Sequence, residues 1–439
     1  MNVRVEDLSI PNVTVDLDQV DRYTPGAFEL RLYVPPATEA EKDLEQNLLH
    51  LNGIPVARDK SHRPKKLLRF AICQWECFGL WQTGKGTEDN KPLLNTQSKE
   101  RWRFRSLPLN TYTRDVRKAR QLALRCLYAL GYDLGVVDLG VFPIKPRYRV
   151  YRITNHIPAS CKEALTRLID KQRKEFDQHA EPVVGADLEF ILRHRNGKYV
   201  LASNYLPKQG RVGHDAIWIP GQRNKHPIAE LRPKESADPL ELFKNIYVCM
   251  RLAARKINNP DIHWLAGGKP LKGFPIGGHI HFSGVPLNTR LVRTLDNYIT
   301  LPLFLFESTT SLSRRPKYGF IGDVREQYHG GFEYRSPPSW LVRPRVTKGV
   351  VCLAKVLAND YQNLVWMPLN NPQVQMDFYH GEQDKCRGIV EQLWQELIHR
   401  CPSYGSYQEE LDQFYQLIES NYRWEEYQDI RKAWRLSPS

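Results

Sequence analysis

Four short segments of the chain alternate chemically active side chains with apolar ones. In Gly277-Gly278-His279-Ile280-His281-Phe282-Ser283, two imidazoles and a hydroxyl stand at every second position. A strand sends residues i and i+2 out of one face, so His279, His281 and Ser283 share a side while Ile280 and Phe282 face a core. Gly185-Ala186-Asp187-Leu188-Glu189-Phe190 does the same with Asp187 and Glu189, Ala229-Glu230-Leu231-Arg232-Pro233 with Glu230 and Arg232, and Gly331-Phe332-Glu333-Tyr334-Arg335-Ser336 with Glu333 and Arg335. Taken singly, each reads as an amphipathic strand with its polar side in water. Together they predict an antiparallel sheet whose polar face gathers carboxylates, imidazoles and guanidinium groups. Crowding those charges is costly unless they pair or bind metal. Oxygen donors dominate, which favours Mg²⁺ or Mn²⁺ over zinc. Arginines beside such a set suit a site that holds metal and phosphate together.

Elements to carry these residues are legible around them. A helix is predicted from Thr113, with Val116, Ala119, Leu122, Ala123, Cys126, Leu127 and Leu130 at helical spacing and Gly131 ending it. Asp238-Pro239 marks another helix start, and further helices are expected after Leu287, after Trp340 and from about Gln383. The alternation over residues 27–34 predicts a strand, closed by Pro35-Pro36, and two more strands follow over 135–141 and 148–154. The chain is long enough for two or three domains. The divisions expected are an α/β N-terminal domain over 1–155, a helical linker over 156–180, the domain bearing the polar face over 181–365 and a C-terminal helical segment over 366–439. The fold class is α+β. Residues 129–138 resemble the last part of an ATP-grasp domain, but Arg152-Ile153-Thr154-Asn155, with no carboxylate, stands where that fold carries a glutamate and an asparagine. The N-terminal piece is therefore read as a degenerate ATP-grasp-like remnant or a chance match, and no catalysis is assigned to it.

Lys and Arg number 63 against 49 Asp and Glu, a formal charge of +14, which favours anionic ligands without choosing among them. The N-terminus lacks a secretory apolar core, and the longest apolar run, 298–306, is far short of the roughly 20 residues needed to span a bilayer. A cytoplasmic protein with no membrane partner is expected. The eight cysteines are scattered, without the clustering of a zinc site or a disulfide framework. Were Cys73 and Cys77 on a helix they would share a face, which is most simply packing. Two basic runs, 58–66 and 99–105, read as solvated faces, with a nucleic-acid patch ranked below.

Asp187-Leu188-Glu189, the Gly-Gly-His-Ile-His-Phe-Ser stretch and Phe332-Glu333-Tyr334-Arg335-Ser336-Pro337 resemble, in order, the signature of the glutamine synthetase and glutamate-cysteine ligase superfamily. They are most similar to its phage-like carboxylate-amine ligase branch, the amidoligases, which also carries Gly213-His214-Asp215 followed by Glu230-Leu231-Arg232-Pro233. The resemblance covers roughly residues 181–345. It implies a glutamine synthetase-like antiparallel sheet with helices on its apolar face, and a ligase that joins a carboxylate to an amine through an acyl phosphate. The implied cofactors are ATP and Mg²⁺, with Mn²⁺ as an alternative, and the partners are small-molecule or peptide carboxylates and amines, with room for an oligomer. Residue by residue, it implies Asp187, Glu189, Glu230, Glu333 and His279 as metal ligands. His281, Ser283, Arg232 and Arg335 would lie on the nucleotide, and Arg335, Arg325 and Glu333 would act in phosphoryl transfer. Loops 204–221 and 265–274 would select the substrates. Two rival readings stand beside it: a zinc metallohydrolase using His279, His281 and a carboxylate, and a basic nucleic-acid-binding protein.

Overall fold

The computed structural model describes residues 2–4, 21–57, 63–83, 103–178, 180–328 and 330–436. Residues 58–62 and 99–102 of the two basic runs lie outside the described residues. The chain divides into two compact units, Met1–Val20 with Phe28–Gln178, and Asp21–Ala27 with His179–Ser439.

The first unit runs β1 (Asn2–Arg4), α1 (Glu39–Leu51), β2 (Lys66–Cys73), β3 (Glu76–Thr83), β4 (Phe104–Ser106), α2 (Arg114–Ala129), β5 (Leu134–Val141), β6 (Tyr148–Thr154), β7 (His156–Pro158) and α3 (Lys162–Phe176). A five-stranded sheet of order β4-β3-β2-β5-β6 is antiparallel throughout. Apolar side chains leave both faces of its centre. Phe70, Val137 and Leu139 meet Ala119, Ala123 and Leu127 of α2, while Ala71, Val136 and Leu134 meet Leu165 and Ile169 of α3. Every residue of β5 is therefore buried. The hydroxyl of Thr113 caps α2 by accepting from the Val116 amide at 3.3 Å. Residues 156–180, expected as a linker, supply β7 and α3, and α3 closes one of this unit's two cores.

One local expectation is corrected here. Residues 27–34 form no regular strand; Leu32 makes a single parallel bridge to Leu134. The reason is occupancy: β2 takes one edge of β5 from Leu134 onward and β6 takes the other from Val136, so only the first two residues are open on that edge. Cys73 and Cys77 sit on a β2–β3 hairpin rather than a helix, turned at Gln74 with φ of 54°. All eight cysteines are free.

The second unit begins with β8 (Val183–His194), β9 (Tyr199–Val200), β10 (Val212–His214), β11 (Ile228–Leu231), α4 (Pro239–Lys256), β12 (Ile262–Leu265) and β13 (Gly278–Ser283). It continues through α5 (Thr289–Leu295), a π-helical turn (Asp296–Thr300), α6 (Leu301–Phe304), α7 (Thr309–Leu312), β14 (Val324–Glu326), β15 (Phe332–Tyr334) and α8 (Pro344–Asp360). Four helices end the chain: α9 (Pro372–His380), α10 (Gln383–Arg400), α11 (Gln408–Glu419) and α12 (Ile430–Ala433). The fold is α+β. Its sheet has the order β10-β11-β8-β13-β15-β14, with β9 and β12 paired to the far end of β8, and every pairing is antiparallel. Leu188, Phe190, Ile280, Phe282, Phe332 and Tyr334 are buried on one face, where Phe282 stacks on Phe332 at 5.2 Å and Phe190 on Trp264 at 4.8 Å. Helices α4 and α8 pack against β8. Asp238 caps α4 by accepting from the Leu240 amide at 2.9 Å, with Pro239 in the first turn.

Candidate active site

The register of the second sheet sets the polar face. His281 stands between Gly185 and Glu333, His279 opposite Asp187, Glu189 opposite Glu230, Glu230 opposite Gly213 and Glu333 opposite Arg325. Residues on adjacent strands in register share a face, so five strands, β11 to β14 in sheet order, present one row of ionisable side chains, with Gly213 of β10 beside them. Glycines let them in. A Cβ at Gly213 would lie 2.5 Å from Arg232 Nη1, and one at Gly277 would lie 2.6 Å from His279 Nε2. A Cβ at Gly278 would strike Trp340 at 2.4 Å, and the Trp340 indole donates to the Gly278 carbonyl at 2.9 Å.

Two groups of donors result. Asp187, His281 and Glu333 form the first and Glu189, Asp215 and Glu230 the second; within each, one ligand atom per residue lies within 4.8 Å of the others. Glu333 is the most heavily engaged: His279 Nδ1 lies 3.0 Å from Oε1, Gln327 donates to Oε2 at 3.0 Å, and Arg335 and Arg325 each donate to one oxygen. Its burial alone would raise its pKa, but the His279 bond and the charges of His279, Arg335 and Arg325 pull it down to about 2. His281 Nε2 lies 3.2 Å from Asp187 Oδ2, without the alignment of a full hydrogen bond. Burial would lower the His281 pKa; Asp187 and Glu333 together raise it. Burial outweighs the Glu333 bond at His279 and lowers its pKa.

The second group has the opposite electrostatics. Burial, then the neighbouring Asp215 and Glu230, raise Glu189, although the Gly277 amide donates to it at 2.7 Å. Burial and Asp187 raise Glu230 to about 7 against the pull of Arg232, which donates to it. One cause is visible beside them: Ile191, Ile228, Leu265 and Ile276 pack on the same side of the sheet, one step along β8 and β11, and desolvate the carboxylates. Arg232 also reaches the carbonyls of Lys208, Gly210 and His214 at 3.3–3.4 Å.

The structure thus brings Asp187, Glu189, Glu230, His279, His281, Glu333, Arg232, Arg325 and Arg335 together, and leaves Ser283 at the end of β13 opposite Val183. It differs from the sequence-based roles in one respect. His281, expected beside phosphates, lies in the first donor group, whereas His279, expected as a ligand, is outside both groups and bonded to Glu333. Asp215 and Gln327 were not assigned roles. Neither belongs to an alternating pattern: Asp215 is one residue past β10, and only its place in Gly213-His214-Asp215 pointed to it. Arg335 is also held by its backbone, its amide donating to the Asp323 carbonyl at 2.7 Å.

Residues 184–436, more than half of the chain, match the family described as phage phiEco32-like COOH.NH2 ligase-type 2. The chain belongs to this family. Comparison with curated proteins gave no match. Among solved structures the chain is similar to a bifunctional glutathione synthetase from Pasteurella multocida, at 10% identity and a TM-score of 0.33 over 61% of this chain and 52% of that one. It is also similar to a novel glutamine synthase homolog, at 13% identity and a TM-score of 0.26 over 64% and 84%. The chain spans about half the length of the first of these. The family match takes in every strand of the polar face, from β8 to β15.

Proposed function

We propose that the protein is an ATP-dependent ligase that joins a carboxylate to an amine through an acyl phosphate. The observation that carries this reading is the adjacency, on one sheet face, of two carboxylate-rich donor groups and the arginines Arg325 and Arg335, with Glu333 a member of the first group and ion-paired to both arginines. The donors fit Mg²⁺ or Mn²⁺: five of the six are carboxylates and one is an imidazole. Bound divalent metal would neutralise phosphate charge and polarise the phosphoryl oxygens. Asp187, His281 and Glu333 would hold one ion and Glu189, Asp215 and Glu230 another.

The remaining chemistry falls to the protein's own cations. Phosphoryl transfer needs positioning and charge neutralisation more than covalent help. Arg325 and Arg335 supply guanidinium forks for the equatorial oxygens of the transferring group. A substrate carboxylate oxygen attacks the γ-phosphorus, the bond to the bridging oxygen breaks and ADP leaves. The amine nitrogen then attacks the acyl carbon, phosphate departs with the acyl C–O electron pair, and the nitrogen sheds a proton. The zinc hydrolase reading has less support, because His279 and His281 turn to different carboxylates and the second group contains no nitrogen.

The test is ATP-dependent phosphate release with Mg²⁺ and pooled carboxylates and amines, together with nucleotide binding. Glu333→Ala combined with Arg335→Ala is expected to abolish release while the protein stays folded. Persistent absence of nucleotide binding by the folded protein, or turnover surviving the double change, would overturn the proposal.

A further inference from the structure

The first unit holds a second concentration of cations that ligase chemistry does not use. Arg69 on β2, Asp138 on β5 and Arg152 on β6 stand side by side in register across three strands. Asp138 is 1% exposed. Arg69 donates to it through Nε at 2.7 Å and Nη2 at 2.9 Å, and Arg152 through Nε at 3.1 Å and Nη2 at 2.9 Å. The Asp138 carboxylate is thereby spent on two guanidinium groups. One arginine would neutralise it; the second leaves a net positive charge at the sheet surface.

A cavity of about 300 Å³ opens at this place, lined by Arg69, Arg152, Thr154 and His156. Arg69 is fixed from both sides, since its guanidinium carbon lies 3.8 Å from the centroid of the Phe104 ring. Among the described residues, Nη1 of each arginine has no acceptor. Thr154 Oγ1 and His156 Nδ1 lie 2.9 Å apart, which leaves His156 Nε2 without a partner among those residues. Four polar groups therefore line one basin, and one buried carboxylate orients two of them before any ligand arrives. Such pre-orientation removes part of the entropy cost of binding.

We propose that this basin binds the phosphoryl group of a small phosphorylated molecule. Paired arginine forks match the oxygens of a phosphoryl group, and the hydrogen-bonded Thr154–His156 pair adds one more donor from another direction, the imidazole Nε2–H or the hydroxyl according to the tautomer. At roughly 30 Å³ per water, the cavity has the room of about ten waters, more than inorganic phosphate fills. The basin lies in the first unit, outside the residues matched by the ligase family, so it stands or falls separately from the ligase site.

The experiment is isothermal titration of the full-length protein at low ionic strength with inorganic phosphate and, in parallel, with a nucleoside monophosphate. Both are expected to bind to the protein and to an Arg335→Ala variant, the monophosphate more tightly. Arg152→Gln is expected to weaken both about tenfold or more. The Arg152 side chain is 56% exposed, so this change is compatible with folding, which circular dichroism verifies; His156→Gln is read instead if it fails. Unchanged affinity in folded Arg152→Gln would overturn the proposal, as would binding that vanishes in Arg335→Ala. Arg152-dependent binding of a single-stranded oligonucleotide with a steep salt dependence, in place of the small phosphates, would overturn it in favour of a nucleic-acid backbone.

Discussion

Glu230 makes the pH dependence of folding a test of the site. Its carboxyl is raised from 4.5 to about 7 by burial and the nearby Asp187, against the opposing pull of Arg232. In the folded, cation-free protein it keeps a proton that the unfolded chain has released. Between about pH 4.5 and 7 the folded state therefore binds more protons, and stability falls as pH rises. At ~1.4 kcal/mol per pH unit the loss reaches about 3 kcal/mol by pH 7 and is flat beyond. Glu230 is only 6% exposed, so little of this is lost to solvent screening. Glu189 is raised too and adds the same sign. His281, raised above 6.5, contributes stability that is present below that value and lost as pH rises, again the same sign. Glu333, held at about 2, acts elsewhere: its stabilisation is present above 4.5 and lost as pH falls toward 2. The assay is calorimetric melting in EDTA from about pH 5 to about pH 8, compared with Glu230→Gln. The wild type should lose on the order of 5 °C relative to the variant across this range, and saturating Mg²⁺ should restore most of it above pH 7 by claiming the deprotonated carboxylates. A difference between wild type and variant that stays constant with pH would refute the reasoning.

Other perturbations test single contacts. Asp187→Asn removes the carboxylate that raises His281, so the imidazole should titrate at lower pH by NMR. Gly213→Ala places a methyl within 2.5 Å of Arg232 Nη1 and 2.9 Å of the Pro207 carbonyl; a loss of about 1–3 kcal/mol in denaturant unfolding is expected. Glu307→Ala strips the buried Arg315 guanidinium of its two-point partner and should cost about 3–5 kcal/mol by the same measurement. Trp340→Phe leaves the Gly278 carbonyl without the indole donor, with an expected loss of about 1–3 kcal/mol.

Periodicity disclosed which side chains leave which face, because that depends only on neighbours two residues away. Leu188, Ile280 and Phe332 are in the core and Asp187, His279 and Glu333 oppose them, as the alternation implies. Helix starts marked by Thr113 and Asp238 were legible for the same local reason. Strand order was not. Asp187 meets His279 across β8 and β13, and nothing in either segment states which strand it will lie beside or in what register. Hence the two histidines were visible while their division between Glu333 and Asp187 was not. Asp215 was hidden because a loop residue has no period to betray it. Residues 27–34 misled by showing the pattern of a strand in a place where both edges of the neighbouring strand, beyond its first two residues, were taken.

The four donors gathered on Glu333 have a consequence for how fast and with how much heat the site fills. A cation arriving at this carboxylate finds no free oxygen; it must displace Arg325, Arg335, His279 or Gln327. Loading of the proposed metal site would thus be an exchange, and the bonds broken would offset much of the enthalpy of the bonds formed. Calorimetric heats should be small relative to affinity, and on-rates should be limited by side-chain release rather than by diffusion. Where the displaced donor is Arg325 or Arg335, that guanidinium would be set loose for an incoming phosphate, so that in the proposed ligase ion and nucleotide would load cooperatively through a single carboxylate.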